Sequence, residues 1–264
     1  MKDAILLRED VGPITRLTLN NPRALNALSE EMLAALRGAF EELAEDETIR
    51  VVVLAGAGKA FCAGHDLKEM QGARGANDGG QAYFEDLFSR CGGVMQMITA
   101  LPQPVIAEVH AIATAAGCQL VASCDMAVAA EGAIFGVNGI NLGLFCSTPA
   151  VALARNVPRK VAFEMAATGE FISATRAREV GLVNRVVPAE DLTAATMALA
   201  EVVAGKLPVA IRMGKKGFYD QVQQPLDGAY DSAGNVMACN MIHPDTDEGV
   251  QAFLEKRKPR WATD

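Results

Sequence analysis

The sequence predicts an α/β fold whose central strands run parallel, and three observations carry that prediction. Ile49–Leu54 is an apolar run interrupted only by Arg50, the pattern of a strand buried on both faces. Ahead of it, Met32, Leu33, Leu36, Phe40 and Leu43 recur at helical spacing behind Ser29, a good N-cap residue followed by Glu30 and Glu31. Ahead of that helix, Ile14–Leu19 reads as another strand. Strand, helix, strand in this order argues for a parallel crossover.

The remaining elements follow from local chemistry. Ala4–Leu7 pairs with Ile14–Leu19 through a turn at Gly12-Pro13, and Asn20-Asn21-Pro22 ends the second strand. Gly56 to Gly64 reads as a glycine- and alanine-rich turn, and Gly72–Gly80 as a polar loop. Tyr83–Leu101 predicts a helix, Pro104–Val109 a strand, and Leu120–Ala130 a further apolar stretch. Arg159–Thr168 and Thr175–Val180 are short helices, the second capped by Ser173 and stopped by Gly181. From Leu192 the pattern is helical nearly to the end. This divides one structural unit into a core, residues 1–200, and a C-terminal helical region, residues 201–264.

The 264 residues are 50% hydrophobic and 21% charged, a globular composition with ample material for a core. A net charge of −8 with no basic stripe argues against a nucleic-acid surface. No apolar run is long enough to cross a membrane. Strand-like sequence begins directly after Met1-Lys2-Asp3, leaving no room for a targeting peptide. The 6 cysteines follow no disulfide framework, so the expectation is reduced thiols in a cytoplasmic protein. Cys62-x-x-His65 has half of a zinc spacing but no second ligand pair, so no metal is expected.

Three segments, in order, bring a family into view: Lys59-Ala-Phe-Cys-Ala-Gly-His-Asp-Leu-Lys-Glu-Met70, Ala107-Glu-Val-His-Ala-Ile-Ala-Thr-Ala-Ala-Gly-Cys-Gln-Leu-Val-Ala-Ser-Cys-Asp125, and Thr168-Gly-Glu-Phe-Ile-Ser-Ala through Gly181-Leu-Val-Asn-Arg-Val-Val-Pro188. Together with Asn21-Pro-Arg-Ala-Leu-Asn-Ala-Leu28 and Phe253-Leu-Glu-Lys-Arg-Lys258, they resemble the crotonase (enoyl-CoA hydratase/isomerase) superfamily over nearly the whole chain. Ala113–Asp125 and Gly143–Pro149 are most similar to its enoyl-CoA hydratase domain-containing protein 3 group. The resemblance implies a spiral of ββα repeats with a C-terminal helical trimerisation region, assembled as a homotrimer or a dimer of trimers. It implies an acyl-CoA thioester as ligand, with no cofactor beyond the coenzyme A of the substrate itself.

It also implies a site. Ala63 and Ala116 occupy the positions matching the family's two oxyanion-hole amides. Backbone N–H donors of this kind meet the charge that develops on a thioester oxygen without a side chain that can ionise or swing away. Arg23, Ala24, Leu25, Cys62, Gly64, His65, Asp66, Leu67, Lys68, Ala113, Gly117, Leu142 and Cys146 match the substrate cleft. Arg23, Lys59, Lys68 and Lys256–Lys258 are the candidates for the CoA phosphates.

Two departures matter more. Hydratases of this family flank the substrate double bond with two glutamates; here those positions hold Gln119 and Gly139. An amide cannot take a proton and glycine offers no group at all. General acid–base catalysis is worth ~10²–10⁴ in rate, so its loss argues against efficient hydration. His65 reads either as a base or as a loop residue contacting CoA or solvent, and Cys146 either as a nucleophile or as a packing cysteine. Ser147 replaces the carboxylate that related isomerases and dehalogenases use. Asn138 and Asn141 read as pocket donors or as turn residues. The expected function is an acyl-CoA-binding lyase or isomerase that stabilises a thioester enolate. The alternative is a catalytically silent acyl-CoA-binding or regulatory paralogue.

Overall fold

The computed structural model describes residues 4–261. The chain opens with an antiparallel hairpin, β1 (Leu6–Val11) and β2 (Ile14–Leu19), turning at Gly12 with φ +58°. β1 begins two residues later than the apolar pattern indicates and runs on through Arg8, Glu9 and Asp10. It is an edge strand exposed along most of its length, so it carries no apolar alternation that would reveal its extent.

Helix α1 (Glu30–Glu45) starts where expected: the Ser29 hydroxyl accepts from the Met32 N–H at 3.2 Å. It buries Met32, Leu33, Leu36, Phe40 and Leu43. β3 (Val51–Gly56) then pairs in parallel with β2, as the crossover argument requires. Its alternate residues serve two cores. Leu54 and Val52 join the main cluster with α1, whereas Val51 and Val53 pack beneath the C-terminal α8 (Leu192–Ala204). Burial on both faces is why this strand reads as an unbroken apolar run.

The body of the fold repeats one unit: a strand in a large sheet, a short strand in a small sheet, then helix. β3 is followed by β4 (Ala60–Cys62), α2 (Leu67–Ala73) and α3 (Gln81–Ala100). β5 (Val105–Val109) is followed by β6 (Ile112–Thr114) and α4 (Ala116–Ser123). β7 (Met126–Ala130) is followed by β8 (Ile134–Gly136), α5 (Ser147–Asn156) and α6 (Arg159–Thr168). Then come β9 (Ile172–Ser173), α7 (Ala174–Glu179) and β10 (Arg185–Val187). The large sheet has the order β1-β2-β3-β5-β7-β10, and the small one β4-β6-β8-β9. Two expectations need correction. The stretch read as a turn from Gly56 to Gly64 contains β4, which is wholly buried and paired with β6. The N-terminal part of the expected loop at 72–80 belongs to the end of α2. Elements this short contain too few residues to display a period.

α8 crosses the expected division at residue 200 and covers the outer face of the large sheet. α9 (Pro208–Gln221), α10 (Leu226–Met241) and α11 (Pro244–Leu254) follow. No single helix among the described residues is long and apolar enough to cross a membrane. α9 is fastened to the core by a buried cation: Lys215 Nζ donates to Ile98 O (2.8 Å), Gln103 O (2.9 Å) and Asp125 Oδ2 (2.7 Å). Asp125 also accepts from the Tyr219 hydroxyl (2.8 Å) and the Val105 N–H (2.6 Å). Burial pushes the Lys215 ammonium pKa down while Asp125 pulls it back up. Lys215→Met leaves the Asp125 charge without its cation inside the protein, an effect of about 3–5 kcal/mol. Urea unfolding should show that loss, with part of it recovered when Asp125→Asn is added.

Candidate active site

A buried asparagine sets the first wall of the site. Leu25 and Asn26 both adopt the left-handed conformation, φ 52° and 54°. The Asn26 side chain is wholly buried: Oδ1 accepts from the Asn21 N–H at 2.9 Å, and Nδ2 donates to Ala57 O and Ala60 O, both at 2.8 Å. The loop carrying Arg23, Ala24 and Leu25 is thereby tied to the entry of β4. Past β4, the Ala63 N–H donates to Leu25 O at 3.0 Å and the Leu28 N–H to Gly64 O at 2.7 Å. Ala63 is therefore not the free amide expected of it, because its donor is used by this loop. Among the described residues, the amide left without a partner in that turn is His65's.

The second wall is the start of α4. Ala116 supplies the helix's first amide, which has no partner among the described residues, as helix geometry dictates. Ala115 before it is held at φ 50°, ψ −122°, a conformation costly for a residue with a Cβ, of order 1–3 kcal/mol. The two walls touch. A Cβ on Gly64 (φ +90°) would meet Ala115 Cβ at 2.8 Å and Ala116 N at 3.2 Å. A Cβ on Gly117 would lie 2.1 Å from Cys62 O. Glycine at both positions is thus a packing requirement that draws the His65 and Ala116 amides together.

These walls and the segment from Asn138 to Pro149 enclose a cavity of ≈ 660 Å³. Of the expected residues, Arg23, Ala24, Leu25, Ala63, His65, Asp66, Leu67, Lys68, Ala116, Gly139, Leu142 and Cys146 line it. Cys62 and Ala113 do not: they are fully buried in β4 and β6, and Gly64 and Gly117 act from behind the wall by allowing close approach. Gln119, 4% exposed, also stands behind it, its Oε1 buried without a partner among the described residues. Lys59 and Lys256–Lys258 lie away from the cavity, whereas Arg23 and Lys68 line it and form no ion pair among the described residues. Sequence reasoning missed Met70, Phe88, Thr114 and Leu144 on the lining. Phe88 in particular sits at helical spacing in α3 and reads as ordinary core.

The polar groups divide by what they can do. Asp66 Oδ1 caps α2, accepting from Lys68 N–H (2.8 Å) and Glu69 N–H (3.3 Å). The His65 ring packs edge-on against Phe88 at 5.6 Å, and both its nitrogens are buried without a well-formed hydrogen bond among the described residues, although the Leu28 backbone lies close enough to favour the charged form. Burial pushes its pKa down, so the imidazole is neutral at pH 7. Its nitrogens are buried, which favours a packing role for the ring over that of a base. The site next to Gly139 is already filled: a Cβ there would meet Leu144 O at 2.5 Å and Cys146 Sγ at 2.8 Å. Burial raises the Cys146 thiol pKa, which favours the packing reading over the nucleophile. Thr114 Oγ1 donates to Asn138 Oδ1 at 2.6 Å. No group of three or more His, Cys, Asp or Glu among the described residues could hold a metal ion.

A family model described as enoyl-CoA hydratase/isomerase matches residues 9–264. The chain belongs to that family. The mouse enoyl-CoA hydratase domain-containing protein 3, mitochondrial, is 47% identical over 249 residues, covering 94% of this chain and 81% of the mouse protein. Among solved structures, a Mycobacterium smegmatis enoyl-CoA hydratase is 57% identical with TM-score 0.94, covering 98% of this chain and 99% of that one. The human enoyl-CoA hydratase domain-containing protein 3 is 43% identical with TM-score 0.92, covering 97% and 100%. These establish the ββα spiral and the resemblance to the domain-containing protein 3 group. The cytoplasmic location expected from sequence is overturned, since the mouse relative and its human counterpart are named mitochondrial. Reduced cysteines do not tell one reducing compartment from another.

The buried His65 makes a pH prediction. Its folded pKa lies below the ordinary 6.5, so below that value the unfolded chain binds a proton that the folded chain refuses. Its contribution to stability is complete above 6.5 and is lost as pH falls towards the folded pKa. Urea midpoints measured from about pH 7.5 to 5 should fall more steeply for the wild type than for His65→Leu.

Proposed function

We propose that this chain is an acyl-CoA-binding enzyme that holds the thioester carbonyl between the His65 and Ala116 N–H groups and stabilises the enolate formed there. The observation that carries the reading is the convergence of two unpartnered backbone amides at the wall of one cavity, with Gly64 between them. Preorganised amides of this type cannot rotate away, and the start of α4 adds positive potential. Arg23 and Lys68, cavity-lining cations without ion-pair partners among the described residues, are the groups for the CoA phosphates. No cofactor is needed beyond the coenzyme A of the substrate.

Hydration is the reaction this site serves poorly. Gln119 cannot act as a base, and the space beside Gly139 belongs to Cys146 and Leu144. A catalytically silent acyl-CoA binder is the second reading, favoured by that same filling. Calorimetry should show acetyl-CoA and crotonyl-CoA binding, with crotonyl-CoA hydrated well below the roughly 1–10³ per second usual for enzymes. Ala116→Val should weaken both ligands by about 1–3 kcal/mol with little change in melting temperature. Unaltered binding by this variant would displace the carbonyl from these amides. Turnover across a panel of acyl-CoAs separates the enzyme from the silent binder.

The same reading includes a homotrimer or a dimer of trimers. Leu207 is buried in this chain alone, but Leu226, Tyr230, Met237, Ile242 and Phe253 on and between α10 and α11 stay exposed, Ile242 at 84% and Phe253 at 81%. Apolar surface of this extent is characteristic of association. Light scattering at micromolar concentration should give a mass that is three or six times that of the chain, and a monomer would refute the assembly.

A further inference from the structure

A second cavity lies at the end of β3 remote from the thioester site. It measures ≈ 180 Å³ and opens between the C-terminal end of α1, the residues leading into β3, and the turn from α8 into α9. No residue lines both cavities. Arg50 lines the small one just before β3, whereas Ala63 lines the larger one beyond the strand's other end. The 6 residues of that strand span roughly 20 Å at about 3.3 Å each.

Three cations reach the small cavity, Arg50, Lys206 and Arg212, and none forms an ion pair among the described residues. Arg50 and Arg212 are half-buried. Arg50 spends one donor, Nη1 to Ala204 O at 3.3 Å, and Arg212 makes no side-chain hydrogen bond among the described residues. The carboxylates on the lining do not neutralise them. Asp46 accepts from Arg8 through Oδ2 (3.1 Å) and from the Thr48 hydroxyl through Oδ1 (2.6 Å), and Glu47 is exposed. The first turn of α9, present on the lining through Pro208 and Ile211, adds positive potential. Like charges gathered in a partly desolvated cavity repel one another, and an anion relieves that repulsion.

A buried acceptor completes the lining. Gln103 is 4% exposed, and its Nε2 donates to Leu43 O (2.7 Å) and Asp46 O (2.9 Å). Those two bonds fix the orientation of the amide and leave Oε1 without a hydrogen-bond partner among the described residues. A carbonyl oxygen in that state calls for a donor. A phosphate dianion has none to offer, whereas a hydroxyl has one.

We propose that this cavity binds a phosphomonoester that also carries a hydroxyl group, a small sugar or polyol phosphate. Its phosphate meets Arg50, Lys206 and Arg212, and its hydroxyl is directed to Gln103. Guanidinium groups suit phosphate because their planar donors bind it in pairs. The cavity is small beside the roughly 300–1,000 Å³ of ordinary ligand sites, which selects a compact ligand. An anion held there ties α9 to the start of β3, one helical turn from the Lys215 clamp on Asp125.

Calorimetry and thermal melting of the purified full-length chain should compare glycerol 3-phosphate, ribose 5-phosphate, inorganic phosphate and glycerol at constant ionic strength. The expected result is that both esters bind at least about tenfold more tightly than inorganic phosphate and raise the melting temperature, while glycerol does neither. Arg212→Ala should weaken both esters by about 10- to 100-fold, and Arg50→Ala should act in the same direction. Saturating acetyl-CoA should leave ester binding unchanged. Failure of both esters to bind overturns the proposal, as does binding unaltered in Arg212→Ala. Inorganic phosphate binding as tightly as the esters overturns the hydroxyl contact with Gln103. Displacement of the esters by acetyl-CoA places them in the thioester cavity and overturns the second site.

Discussion

The site depends on how closely helix α4 presses against the end of β4. With a Cβ at Gly117 only 2.1 Å from the Cys62 carbonyl, no residue but glycine allows the contact. That contact brings the Gly64 turn against Ala115, and so places the His65 and Ala116 amides on one cavity wall. The ββα repeat supplies the geometry twice: each unit passes from the large sheet through a short strand of the small sheet and turns into the next segment. Two such turns, from successive units, face each other because β4 and β6 are hydrogen-bonded neighbours.

Around this contact the buried polar groups fall into two populations. Asn26 and Lys215 satisfy themselves largely on backbone carbonyls and fasten loops and helices to the sheets. Such groups stabilise because each donor taken from water finds a partner. At the site the pattern reverses. Both His65 ring nitrogens and Gln119 Oε1 are buried without a well-formed hydrogen bond among the described residues, and Ala115 is held at a positive φ. Other unsatisfied buried atoms, such as Gln103 Oε1 and Glu108 Oε2, lie away from the cavity, so it is their coincidence with backbone strain that marks this place as a functional centre.

The chemistry available is defined by charge. The cavity retains electrostatic stabilisation from fixed dipoles; the carboxylate on its lining, Asp66, caps α2 through Oδ1, and Arg23 and Lys68, which form no ion pair among the described residues, stand on the wall shared by the 22–28 loop and the start of α2. Family membership fixes the scaffold and the thioester chemistry that it hosts in relatives. The particular reaction then turns on side chains at a handful of positions, a separation of fold from function that large enzyme families repeatedly show.

The sequence by itself determined the elements long enough to show a period and the caps that bound them. The apolar stripe of α1 behind Ser29, the doubly buried β3, and Arg159–Thr168 as α6 are local patterns, and local patterns survive into the fold. It also determined the family and the two segments that carry the amides. The tertiary structure alone decided which amide in the first segment is free. The Ala63 N–H is taken by Leu25 O, a partner 38 residues away, which leaves the His65 N–H for the proposed role. It likewise decided that the imidazole faces inward, that Gln119 stands behind the wall, and that Cys146 fills the space beside Gly139. Hydrogen bonding and occupied volume depend on distances between distant segments, and residue types along a chain do not contain those distances.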